Sequence, residues 1–160
     1  MKSDAVRRTI RGALTGKGAH AATRKVFDGL DWKLAGARPP GVPHSAYQLL
    51  EHMTFWQEWA VRWFEGEDPA TPPHAAGSWP GDQGPASAAE WRGAVERFRR
   101  ALDALEQRSR TDDLLAKPGS KTALEMLQLI GSHNSYHAGQ VATVRQGLDA
   151  WPPPSGGLTW

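Results

Sequence analysis

The chain of 160 residues contains no cysteine. That excludes disulfides, thiolate metal ligands and a cysteine nucleophile. Any thiol chemistry must then use a thiol supplied by a substrate or cofactor. Long hydrophobic runs are missing too, since no apolar stretch approaches the roughly 18 residues of a membrane span. The opening MKSDAVRRTIRGAL carries basic residues but no continuous apolar region, unlike a secretory signal. These absences lead us to expect a cytoplasmic protein without a membrane partner. Charge of one sign is scarce as well, with a net charge of only +2 at pH 7. Arg92, Arg97, Arg99 and Arg100 are interspersed with Glu90, Glu96 and Asp103. Nucleic-acid binders usually show a basic stripe with little acid in it. Mixed signs describe a solvated helix face, so no nucleic-acid partner is expected. No alternating apolar run suggests a strand.

What is present reads as one soluble domain, 39% hydrophobic and 22% charged. Four helical segments alternate with Gly/Pro-rich connections, with no internal repeat. The first is expected over residues 3 to 30, with Val6, Ile10 and Leu14 at helical spacing and Ala22, Val26 and Leu30 resuming it. TGKGA, Thr15 to Ala19, should break or kink it, because glycine weakens helix interiors. Ser45 with Gln48, Ser87 with Glu90 and Thr122 with Glu125 each form a capping-box signature. They open helices expected to end near Phe64, Gln107 and Gln146. The fold class is therefore all-α, a four-helix bundle spanning residues 1–150, followed by an irregular tail, 151–160. Trp151 and Trp160 are candidates to pin that tail. Residues 66–86 make a helix–helix connection far longer than the usual 2–8 residues or so. It could cross the bundle end, letting its two helices run parallel, or cover a site.

The fourth segment contains HNSYHAGQ. Ala123, Met126, Ile130, His133, His137, Gln140 and Val144 trace one stripe, the face a bundle helix turns inward. Residues at i and i+4 stand about 5–6 Å apart at Cβ. His133 and His137 could thus converge on one ion, or be buried rings bonded to backbone or each other. Burying two imidazoles without partners costs several kcal/mol. A third ligand should come from another helix, and His52 is the best candidate. It shares an inner stripe with Leu49, Trp56, Trp59 and Trp63. Neutral imidazoles suit Zn, Ni, Fe or Cu better than Mg or Ca. Three protein ligands leave a coordination position open, as catalytic sites do.

The remaining histidines offer less. His44 precedes a helix cap and reads as a loop residue, and His74 reads as an exposed one. His20 follows the glycine break and is a weak candidate for a polar or acid–base group. Gln140 lies on the ligand stripe and could orient substrate or a ligand ring. Tyr136 points about 100° away from His137 and reads as packing. Trp56, Trp59 and parts of the 66–86 connection are candidate pocket walls. Other readings fail on spacing. A zincin needs Glu after its first histidine, and Asn134 follows His133. Di-iron bundles need Glu-x-x-His, and no Glu precedes a His by three. GALTGKG lacks the Ser or Thr of a P-loop.

Together, RPPGVPHS leading into SAYQLLEHMTFW and the later SHNSYHAGQVATVRQ resemble the DinB superfamily (DinB/YfiT-like). The resemblance covers most of the chain and is best over residues 37–60 and 121–147. It implies a four-helix bundle, often dimeric, with a divalent metal, often Zn or Ni, on three histidines. Those positions fall on His52, His133 and His137. It further implies a metal-dependent enzyme acting on a small molecule. Thiol S-transfer with a bacillithiol- or mycothiol-like thiol is the preferred reaction, with metal-dependent hydrolysis second. A non-catalytic metal-binding bundle in stress response or metal handling is the rival.

Overall fold

A computed structural model describes residues 2–111 and 113–157. Its described residues are helical, without a strand. The helices are α1 (Lys2–Thr15), α2 (Trp32–Ala35), α3 (Ala46–Phe64), α4 (Ala88–Thr111) and α5 (Ala123–Gly147), with short 3-10 turns at Thr23–Lys25 and Ala75–Ser78. The four long ones form the expected bundle.

Two capping boxes are complete. Ser45 and Gln48 cap α3 reciprocally, and Thr122 and Glu125 do the same for α5. The third is half a box. Ser87 Oγ accepts from Glu90 N–H at 3.1 Å, but the Glu90 carboxylate accepts from Ala86 N–H and from the Tyr47 hydroxyl. The first helix is shorter than its periodicity suggested. Gly16 adopts φ 73°, and Lys17 N–H reaches back to Gly12 O at 3.1 Å. This left-handed cap stops a helix rather than kinking it. Val26 and Leu30 are buried as expected, but from turns, whereas Val6 is 41% exposed. α4 also runs one turn beyond Gln107.

Cross-bonds give the helix directions. Tyr47 bonds Glu90 at 2.9 Å and Glu51 pairs with Arg97 at 2.5 Å, so α3 and α4 are parallel. Gln57 meets Asn134 while His52 meets His137, so α5 runs antiparallel to α3. The parallel pair requires the 66–86 connection to return along the bundle. The helices it joins run parallel, and on its way back its Ser78 and Trp79 pack against His52 of α3.

The apolar interior falls into two clusters. One gathers Phe27, Leu50, Met53, Phe98, Val141 and Val144. The other gathers Ile10, Leu14, Ala60, Trp63, Leu105 and Ile130. On α3, His52 and Gln57 flank Met53 and precede Ala60. On α5, His133, Asn134 and His137 fall between Ile130 and Ala138. A polar layer thus sits where the two clusters meet. Residues 151–157 have no regular structure, and Trp151 packs against the first cluster. Trp160 lies outside the described residues.

Candidate metal centre

His52 comes from α3, and His133 and His137 from successive turns of α5. Their ring centroids are 4.4 to 5.0 Å apart. One ring nitrogen from each lies within 4.8 Å of the others. His52 and His137 are buried and His133 half-buried. Burial pushes His52 down to about 4 and His133 to about 3, with nearby histidines adding to the effect. His137 is lowered by burial as well. All three are therefore neutral near pH 7, the form that ligates metals.

Their hydrogen bonds decide which nitrogen is free. His52 Nδ1 lies 3.1 Å from Ser78 O. A carbonyl only accepts, so Nδ1 carries the proton and Nε2 keeps its lone pair. His137 Nδ1 lies 2.6 Å from Gln140 Oε1, which sets the same tautomer. His133 Nε2 sits 3.1 Å from His52 Nε2, and its Nδ1 has no hydrogen-bond partner among the described residues. Two lone pairs and a third imidazole thus converge on one point without enough protons among them. A divalent cation satisfies that arrangement, with His52 and His137 oriented from behind by oxygen acceptors. The donor set fits a transition metal bound by nitrogen.

Around the ligands, Trp56 has its ring 6.5 Å from that of His133. Trp59 is a step further out, meeting Trp56 at 6.0 Å and donating to Ala70 O. Tyr136 is 66% exposed and sets its ring against His137 at 5.0 Å, so it lies at the site's edge rather than in the packed interior. Gln140 also donates weakly to the Tyr136 hydroxyl. His20 is engaged elsewhere, with Ala21 O and Ser135 Oγ, and does not join the cluster. His74 is exposed.

Sequence reasoning pointed to the 66–86 connection as a pocket wall but singled out neither Ser78 nor Trp79 within it. Trp79 stacks on His52 at 3.9 Å and 7°. It also undervalued His44, whose ring stacks on Trp79 at 3.7 Å. Loop residues show no periodicity, so the connection's unusual length was the available signal. A cleft of about 190 Å³ opens beside the site, lined by residues including His44, Leu49, Gln140 and Thr143.

The fold and the cluster define a helical-bundle protein with a three-histidine group fit to bind a metal ion. The family model of the DinB superfamily matches residues 17–141, which include all three histidines, and the chain belongs to that superfamily. Comparisons with curated proteins and with solved structures return no match. Among the described residues no helix is long and apolar enough to cross a membrane.

Proposed function

We propose that this protein is a metal-dependent enzyme that joins a low-molecular-weight thiol to small electrophiles. The observation that carries the reading is the convergence of three neutral imidazoles with two tautomers set by Ser78 O and Gln140. His52, His133 and His137 would hold the ion, with Zn or Ni the preferred identity. Bound there, a divalent cation lowers the pKa of a coordinated thiol or water and so supplies a nucleophile at neutral pH. The protein's part is to hold and shield. Three histidines leave a position for an external ligand. Trp79 stacked on His52 and Trp56 beside His133 give the ligands aromatic neighbours, and a drier surrounding strengthens local electrostatics. The cleft beside Gln140 is the place for a small electrophile. Because the chain has no cysteine, the sulfur must arrive with the substrate pair. Its proton leaves to solvent, a C–S bond forms, and the electrophile's leaving group departs.

Metal analysis of purified wild type should find about one transition metal per chain, as a single three-nitrogen site requires. The His137→Ala protein should have lost it. Thiol conjugation to a chlorinated aromatic should then stop on adding chelator and return with metal. Wild type that arrives metal-free and takes up neither Zn nor Ni sinks the reading. Turnover that proceeds without thiol assigns the site to hydrolysis, and equal rates with and without chelator remove the metal from the reaction.

A further inference from the structure

Trp79 occupies an unusual place. Its ring is sandwiched between His52, a ligand of the proposed centre, and His44, a fourth imidazole. Interplanar angles are 7° on one face and 15° on the other, with centroids 3.9 and 3.7 Å away. Its edge also meets His137 at 5.8 Å. The three ligand rings themselves stand 4.4 to 5.0 Å apart. The indole thus separates the His44 ring from that of His52 by the thickness of one aromatic ring, about 3.5 Å on each face. The indole is the group that lies between the His44 and His52 rings.

The indole is held there from its own backbone. Trp79 N–H donates to Ala76 O at 3.1 Å. The preceding carbonyl, Ser78 O, accepts from His52 Nδ1. Beyond it, Gln83 O accepts from Ser45 Oγ, the residue next to His44. The same connection that orients one ligand thus inserts a ring in front of the next imidazole.

Resting on the metal-centre reading above, we propose that Trp79 is a positioning residue: it partitions His44 from the metal and keeps the remaining coordination position for an exogenous ligand. Four imidazoles would close a tetrahedral sphere, as structural sites do, whereas three leave it open. His44 is left instead to line the adjoining cleft with Gln140.

Cu(II) is the probe, because pulsed electron paramagnetic resonance counts coordinated imidazoles through their remote nitrogens. Wild type loaded with Cu(II) should show three and should bind azide with a new charge-transfer band. Trp79→Ala should show four and lose the azide band. Trp79→Ala with His44→Ala should return to three and regain it. Trp79→Phe, which keeps an aromatic plane, should stay at three. Trp79→Val serves as a second truncation, each variant being checked for helical circular dichroism. A count of three in both truncations overturns the partition while leaving the metal centre intact. Wild type that already shows four, or binds Cu(II) but no azide, overturns it as well. Wild type that binds no Cu(II) removes the metal-centre reading on which it stands.

Discussion

Gln140 does for His137 what Ser78 O does for His52, yet only one of the two was legible. Gln140 follows His137 by three on a helix, so periodicity puts it beside the ring. Ser78 acts through its backbone carbonyl, which carries no side-chain signature, and it lies in a loop placed by distant contacts. The pair matters because a ligand ring that donates its other N–H to an acceptor keeps its orientation and gains basicity. Loss of such a partner typically costs 10–100-fold or so in metal affinity. Gln140→Leu should weaken Zn binding by about that factor, read by competition with a chromophoric chelator. Gln140→Glu keeps an acceptor and should bind at least as tightly as wild type. If Gln140→Leu binds Zn like wild type, the 2.6 Å contact has no part in holding the metal. His44 shows the limit of local reading: it is the loop residue its position suggested, and its role depends on a ring 35 residues away.

At the level of elements, the starts of α3 and α5 were readable because a capping box is a local arrangement, complete within four residues. The end of α1 differs from the expectation because the apolar spacing of Val26 and Leu30 survives in a chain that reaches the core by turns, while Ala22 is exposed. The course of the 66–86 connection was not readable, since its anchors are remote in sequence. One anchor is steric. A Cβ built on Gly84 would lie 2.7 Å from the Cα of Gly36, and one on Gly36 would lie 2.9 Å from the Cα of Gly84. The two backbones touch where α2 ends, and Gln83 Nε2 donates to Gly36 O beside them at 2.8 Å. Gly84→Ala should push the connection outward, because the obstruction is backbone that cannot rotate away. We expect a loss of about 1–3 kcal/mol in stability, the usual cost of overpacking, measured by denaturant unfolding. Because Ser78 and Trp79 ride on the same connection, Zn affinity should fall with it. A variant that unfolds like wild type and binds Zn equally well would show that the connection is held by its other contacts.

For the whole molecule, the polar layer between the two apolar clusters has a cost that metal binding can offset. Histidines in the unfolded chain titrate near 6.5, whereas folding holds His52 at about 4 and His133 at about 3 through burial. His137 and His44 shift the same way, both mainly through burial. Between those folded values and 6.5 the unfolded chain binds more protons than the folded one, so stability rises with pH across the window. The histidine contribution is complete above pH 6.5 and is lost as pH falls toward the folded values. Each such group adds a slope of up to about 1.4 kcal/mol per pH unit, less for the half-exposed His133. Paired carboxylates lose their contribution only nearer pH 4, so pH 7.5 to 5.5 isolates the histidines. Chelator-treated wild type should show a falling denaturation midpoint over that range, and His52→Leu should flatten part of the fall. Saturating Zn should lift the midpoint most at the upper end. A ligand at 100 times its Kd adds about 2.7 kcal/mol, and protons compete for the same nitrogens as pH drops. A chelated protein whose midpoint stays level from pH 7.5 to 5.5 would mean that the three rings are not held neutral by the fold, and the argument for a prearranged metal centre would lose its electrostatic half.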